Sequence, residues 1–367
     1  MNNLKNIVTT VILMSFILAL SVFAWFKPID EFSLSERRYL AKFPEISIDT
    51  LISGSFMSSF ENYTLDQFPL REYFRNIKAS SEIYLLNKTS NNNIIEKEGY
   101  ITKIEYPLNK ESVDYAAKKI DGIYNMYLKD TDTSVYFSII PDKNYYLIAD
   151  DNDYLSLDYN ELVTDITSKT DYMTYIDIFS ELSIDSYYKT DSHWRQEKIF
   201  PVAKKIAGEM GVSLKAEYEE VVFEKDVYGV YYGQYAMKNI KGDKLVTLNN
   251  NYTKNAIVTD YQNQKKIPVY DLTKGGGRDF YEAFLGGSLS LITIENKNAT
   301  TEKELIIFRD SFGSSLTPFF IEGYKKITVV DTRYMFPVML KQFIEFNNQD
   351  VLFIYSTSVL NNSEMLK

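Results

Sequence analysis

The chain of 367 residues contains one histidine and no cysteine. Proton transfer near neutral pH therefore falls to His193, the one side chain whose ordinary pKa suits it. Thiol nucleophiles, disulfides and thiolate metal sites are excluded. Any reactive centre must combine His193 with carboxylates and hydroxyls, and two stretches supply them. In Asp191-Ser192-His193-Trp194, residues two apart point the same way when the chain is extended or turning. Asp191 can then accept from the Nδ1–H of His193 and leave Nε2 as a base. In Phe308-Arg309-Asp310-Ser311-Phe312-Gly313, Ser311 follows the apolar run Leu305 to Phe308 and precedes an expected helix. A serine so placed exposes its hydroxyl near backbone N–H groups that can hold an oxyanion. Neither stretch is specific alone. An isolated Asp-x-His is often structural or a metal fragment, and Asp-Ser pairs commonly cap helices.

The elements that must position these residues read as α/β. Lys110 to Leu128 has helical periodicity, and Ser134 to Ile140 is a β-rich run ended by Pro141. Another candidate strand lies within 171–179, and 195–210 reads as a helix closed by Gly211, with Pro201 straining its first turns. Strand, helix, strand then repeat over 304–308, 326–330, 337–346 and 351–355. Such alternation predicts a parallel sheet covered on both faces. Between 212 and 294 helical periodicity is lost, and short β-like runs predict an insertion of hairpins. Upstream, 28–60 reads as an extended stalk. It leads into a short helix, a turn at Gln67-Phe68-Pro69, a longer helix to Leu86 and a loop over 87–93. The domain begins at 61 on this reading and runs to 367.

A formal net charge of -10 and the lack of a basic face exclude a nucleic-acid partner. The 30 tyrosines and 23 phenylalanines could stack on sugars, although abundant Asn and Lys beside them point to nucleotide composition as the source. Ile7 to Phe26 is an almost unbroken apolar run, long enough at ~1.5 Å per residue to cross ~30 Å of hydrocarbon. A poor small-x-small site after it favours an uncleaved signal-anchor, comprising 1–27 with membrane contact over 7–26. Flanking lysines give little orientation signal. The long body without a second span is expected outside the cytoplasm, which the missing cysteines fit.

Taken together, Thr190-Asp191-Ser192-His193-Trp194 and Arg309-Asp310-Ser311-Phe312-Gly313 resemble the two signature blocks of the DHHW family. Further blocks match in the same order: Glu36 to Leu40, Asp66 to Arg71, Pro141 to Lys143, Tyr281 to Gly287 and Val330 to Tyr334. That family is similar to the SGNH-hydrolase-like proteins of alginate-type polysaccharide O-acetylation. The resemblance implies an SGNH-like parallel sheet flanked by helices. It also implies Ser311 as nucleophile, His193 as general base and Asp191 as the carboxylate that orients it. It further implies transfer of acetyl through a serine ester to a polysaccharide hydroxyl. No cofactor would be bound. With one span and no coenzyme-A motif, the chain would receive acetyl from a membrane-embedded acyltransferase of the MBOAT type.

The sequence departs from the family at three places. Ser192 stands where the name-giving motif has His, Ser288 follows Gly286-Gly287 where Asn is frequent, and Arg309 replaces the glycine of the Gly-Asp-Ser block. Gly287 and Ser288 are oxyanion candidates on this comparison, and Arg309 speaks against a tight glycine turn. Trp194 either stacks on a sugar or packs a helix onto the sheet. Tyr188 either flanks the acceptor or sits at the surface. Arg333 either faces the site or pairs with Asp331, and Lys143 is placed to reach the same cleft. A metal site is the weakest reading, since no second histidine completes one. Asp150 to Asp153 reads as a solvated loop rather than a calcium site. A carbohydrate acetylesterase with the same triad and a non-catalytic glycan-binding scaffold are the competing functions.

Overall fold

The computed structural model describes residues 2–367, which divide into two compact units. Of the described residues, the first comprises 2–92 and 232–240, the second 93–231 and 241–367. The first unit opens with α1 (Asn2–Phe26), a helix long and apolar enough to cross a membrane. The stretch read as an extended stalk is folded instead. It holds a short strand pair, Phe32–Ser33 with Arg38–Tyr39, then α2 (Ile48–Ile52) and the start of α3 (Ser55–Asp66). Helix α2 starts because Ser47 and Thr50 cap each other reciprocally, at 3.1 and 3.0 Å. The expected turn at 67–69 follows, then α4 (Arg71–Ser80), extended by a wider turn over Ser81–Leu85.

The domain boundary also moves, from 61 to about 93, because the partners of 61–92 lie at 30–41 and 232–240. Asp66 is held by Arg38 at 2.8 Å and by the Ala41 N–H at 2.8 Å. Arg75 donates to Gly233 O and Asn76 to Ala236 O, each at 2.8 Å. Such long-range pairing leaves no periodic signal in sequence.

The second unit is built on an eight-stranded sheet. Its strands are β1 (Ser134–Ile140), β2 (Thr174–Tyr175), β3 (Ile257–Asp260), β4 (Lys265–Ile267), β5 (Leu291–Glu295), β6 (Glu304–Arg309), β7 (Lys326–Val330) and β8 (Asp350–Ser356). They lie in the order β4-β3-β5-β7-β6-β8-β1-β2. From β7 to β2 every pairing is parallel, whereas β5, β3 and β4 add an antiparallel edge. The stretch 212–294 is therefore only partly an insertion. Its hairpin Glu219–Val227 with Asp243–Asn249 stands apart, but β3, β4 and β5 extend the main sheet.

Strand periodicity divides the core in two. Leu305, Ile307, Leu352 and Ile354 enter one cluster, which includes Val202, Ala203 and Ile206 of the helix α6 (Phe200–Glu209). Ile306, Phe308, Val351 and Phe353 enter the other, against α5 (Lys110–Ile123) and the helix Tyr159–Lys169. Alternate side chains of a buried strand point to opposite faces, so both faces must be apolar and covered. Helix α6 begins at 200 rather than 195 because Pro201 fits the first turn, where it lacks no needed N–H. Pro337–Gln342 forms only short 3-10 turns where a longer helix was expected.

Candidate active site

The carboxyl ends of the parallel strands converge on one place, as is general for open α/β sheets. After β6 the chain turns through Asp310 and Ser311 into a four-residue helix, Gly313–Leu316. Asp310 is fully buried and pins this turn, accepting from Phe312 N at 3.0 Å and from Ser356 N, at the end of β8, at 2.8 Å. The histidine arrives on a tight loop closed by Tyr188 N to His193 O at 3.1 Å and Arg195 N to Ser186 O at 2.8 Å.

The two loops meet. Asp191 Oδ1 lies 2.6 Å from His193 Nδ1, and His193 Nε2 lies 2.8 Å from Ser311 Oγ. Since a carboxylate only accepts, the network assigns the proton to Nδ1 and leaves Nε2 to accept from the serine hydroxyl. Asp191 is fully buried, whereas His193 retains slight exposure. The carboxylate is further held by Val230 N at 3.0 Å on Oδ2 and by His193 N at 3.2 Å on Oδ1. Gly229 makes this approach feasible, because a Cβ there would lie 2.3 Å from Asp191 Cβ. The same glycine donates to Thr190 Oγ1 at 2.8 Å.

Residues around the line fix its rings and loops. Tyr281 stacks on the imidazole with centroids 3.8 Å apart and planes 12° from parallel, while its hydroxyl bonds Ser315 Oγ at 2.6 Å. Trp194 is fully buried and donates to Phe312 O at 3.1 Å and Ser315 Oγ at 2.9 Å. It ties the histidine loop to the serine turn, which is the packing alternative for this residue. Lys143 does not enter a cleft. It is buried, donating to Tyr188 O at 2.8 Å and Lys189 O at 3.3 Å, and burial pulls its ammonium down to about 8. Tyr188 is buried as well, so the surface alternative fails. Its hydroxyl has no partner among the described residues, and burial raises it well above the ordinary phenol range.

The backbone donors are fewer than expected. Phe312 N is taken by Asp310 Oδ1 at 3.0 Å and Gly313 N by Asp310 O at 3.1 Å. Among the described residues, Ser311 N is the turn amide left without an acceptor. Arg309 does not loosen the turn. Its side chain runs beneath Gly313, where a Cβ would lie 2.7 Å from Arg309 Cβ, so the close approach has shifted to that glycine. The guanidinium, fully buried and lowered by burial, donates to Asp331 at 3.1 Å and to Gly287 O at 2.9 Å. Ser314 Oγ also donates to Gly287 O, at 3.1 Å, so the Gly286-Gly287-Ser288 loop lies beside the serine turn. Arg333 pairs with Asp331 through Nε at 2.9 Å and Nη2 at 2.7 Å, and reaches Ser288 Oγ at 3.4 Å. Ser288 itself is exposed.

Three contributors carried no local signal: Tyr281 beyond its place in a matching block, Gly229, and Asp243. Asp243 is buried and accepts from Lys189 N at 2.7 Å and Thr190 N at 2.9 Å. Among the described residues no group of three or more metal-binding side chains gathers anywhere.

The fold can be compared directly with solved α/β proteins. A DHHW family protein from Eubacterium siraeum superposes with a TM-score of 0.62 at 21% identity, covering 75% of this chain and 95% of that one. Bacillus cereus PatB1, solved with a sulfonyl adduct, gives 0.57 at 18% identity over 73% and 97%. The O-acetyltransferase domain of Pseudomonas putida AlgJ aligns with a TM-score of 0.44 at 9% identity over 73% and 92%. The first two establish a shared fold. No protein-family model matches the chain. No curated protein matches it by sequence.

Proposed function

We propose that this protein is a membrane-anchored serine O-acetyltransferase whose second unit is its catalytic body. It acts outside the cytoplasm on hydroxyls of a cell-surface or secreted polysaccharide. The observation that carries the reading is the continuous hydrogen-bonded line from Asp191 through His193 to Ser311, at 2.6 and 2.8 Å. Ser311 Oγ attacks the donor acetyl carbonyl while His193 Nε2 takes the hydroxyl proton, and Asp191 stabilises the imidazolium. The Ser311 N–H is the first donor to the oxyanion, with Ser288 in the adjoining loop as a second. The imidazolium returns its proton to the departing group, leaving acetyl-Ser311. An acceptor hydroxyl then loses its proton to Nε2, attacks the ester carbonyl, and restores Ser311 when Oγ leaves and is reprotonated. Acetyl comes from a membrane-embedded acyltransferase of the MBOAT type, and α1 holds this chain in the same membrane. No resident cofactor enters these steps.

The test is full-length protein given an activated acetyl ester, with and without oligosaccharide. Acetylated sugar, an acetyl group on Ser311 and loss of both in Ser311→Ala support the proposal. Acetate release unaffected by sugar would assign the same triad to a carbohydrate acetylesterase. Unchanged function in Ser311→Ala would leave a glycan-binding scaffold. PatB1 carries a sulfonyl adduct. A sulfonyl fluoride is accordingly expected to modify Ser311 here, and His193→Ala to slow that labelling strongly.

A further inference from the structure

Within the first unit the stretch from Phe43 to Phe60 buries almost none of its apolar side chains. Ile48, Ile52 and Met57 are 75, 82 and 64% exposed, and Ile46 and Leu51 are exposed beside them. Phe43 gathers Phe56, Phe60 and Tyr63 around itself at 5.4 to 6.4 Å, so the aromatic rings form one raft. From Thr50 to Phe60 no side chain is charged; serines and one glycine separate the apolar residues. An apolar surface of this kind marks a binding face.

Its position relative to α1 indicates what covers it. Gln67, at the C-terminal end of α3, exchanges two hydrogen bonds with the backbone of Asp30, at 3.0 and 2.8 Å. Asp30 lies four residues beyond Phe26, the last residue of α1. Four extended residues reach about 14 Å, and a helix of 12 residues such as α3 adds about 18 Å. If α1 spans the bilayer, the raft is thus leashed to the level where the spanning helix leaves it. That is where helices with one apolar and one polar side settle and where aromatic rings concentrate.

We propose that α2, α3 and the Phe43 cluster form a second membrane contact, lying flat in the headgroup region of the bilayer that α1 crosses. The inference rests on the anchoring function given to α1. The seat holds the first unit against the lipid surface instead of letting it swing on a free stalk.

A chain without cysteine allows single spin labels at Ile52→Cys, Met57→Cys and Leu13→Cys in full-length protein reconstituted in phosphatidylcholine–phosphatidylglycerol vesicles. Oxygen and a water-soluble nickel complex report lipid and water exposure. The expected result is oxygen relaxation exceeding nickel relaxation several-fold at Ile52 and Met57, as at Leu13, with the reverse at a Lys325→Cys control. Labels at Ile52 and Met57 open to nickel, with Leu13 in lipid, would overturn the seat alone. Shielding from both relaxants, or dipolar broadening between labels, would overturn it in favour of a protein partner or a second copy. A Leu13 label open to nickel would overturn the anchor and the seat with it.

Discussion

In the proposed reaction Ser311, His193 and Asp191 have separable duties, and substitutions should separate them. Ser311→Ala and His193→Ala are each expected to lower acetyl transfer by ~10³-fold or more, and the double variant by little beyond that, because the two act as a unit. Asp191→Asn should retain nearly the same fold while losing the acceptor that sets the Nδ1 proton, so kcat falls and unfolding stability changes less. Tyr281→Phe removes the bond to Ser315 Oγ but keeps the stack on His193, whereas Tyr281→Leu removes both. Activity should therefore fall further in the leucine variant, and the comparison reads how much the flat ring restrains the imidazole. Residue type made Ser311, His193 and Asp191 candidates in a chain with one histidine, but neither stretch was specific alone and their grouping rested on the resemblance of the two blocks. Tyr281 was not legible, because a tyrosine in an aromatic-rich chain announces nothing until its ring is placed over another.

The elements work by bringing strand ends and loops into register. Lys143, two residues after Pro141 at the end of β1, ties down the carbonyls of Tyr188 and Lys189 on the histidine loop. Its folded value of about 8 lies below the ordinary 10.5, so the unfolded chain binds more protons between these values. Stability contributed at this site therefore rises with pH across that window, by on the order of 3 kcal/mol in total. Lys143→Met should abolish that rise relative to the parent in denaturant titrations across the window. Gly229→Ala would force a methyl group into Asp191 and is expected to cut kcat more than it weakens acceptor binding. The hairpins of 212–294 were legible as β structure, but the entry of β3, β4 and β5 into the main sheet was not. A strand's periodicity does not say which neighbour it will pair with.

At the scale of the whole molecule, buried charge holds the second unit's site end together. Asp331 sits between Arg309 and Arg333 with no exposure, and Arg309 also satisfies Gly287 O. Arg309→Met removes one of the two donors to that carbonyl and one of the two guanidinium partners of the carboxylate, leaving Ser314 and Arg333 in place, at an expected cost of about 1–3 kcal/mol. Thermal unfolding should show it, with Arg333→Met milder because Arg333 retains some exposure. In the first unit, Glu36, Arg38, Asp66 and Arg71 form one ion-pair cluster, which explains two family-like blocks as structural rather than catalytic. Asp66→Ala is expected to loosen that unit in hydrogen exchange while leaving Ser311 reactive toward a sulfonyl fluoride.

The sequence by itself determined the spanning length of α1 and the parallel strands with both faces apolar. Each is written in composition or in a short period, and local sterics and the burial of apolar side chains suffice to impose it. Only the tertiary structure decided that 28–60 folds, that Lys143, Trp194 and Arg333 brace the site, and that Arg309 shifts the close backbone contact to Gly313. Those outcomes depend on groups tens to hundreds of residues apart finding partners in a dry interior, where an unpaired polar atom is costly. No local pattern of residues encodes which distant partner that will be.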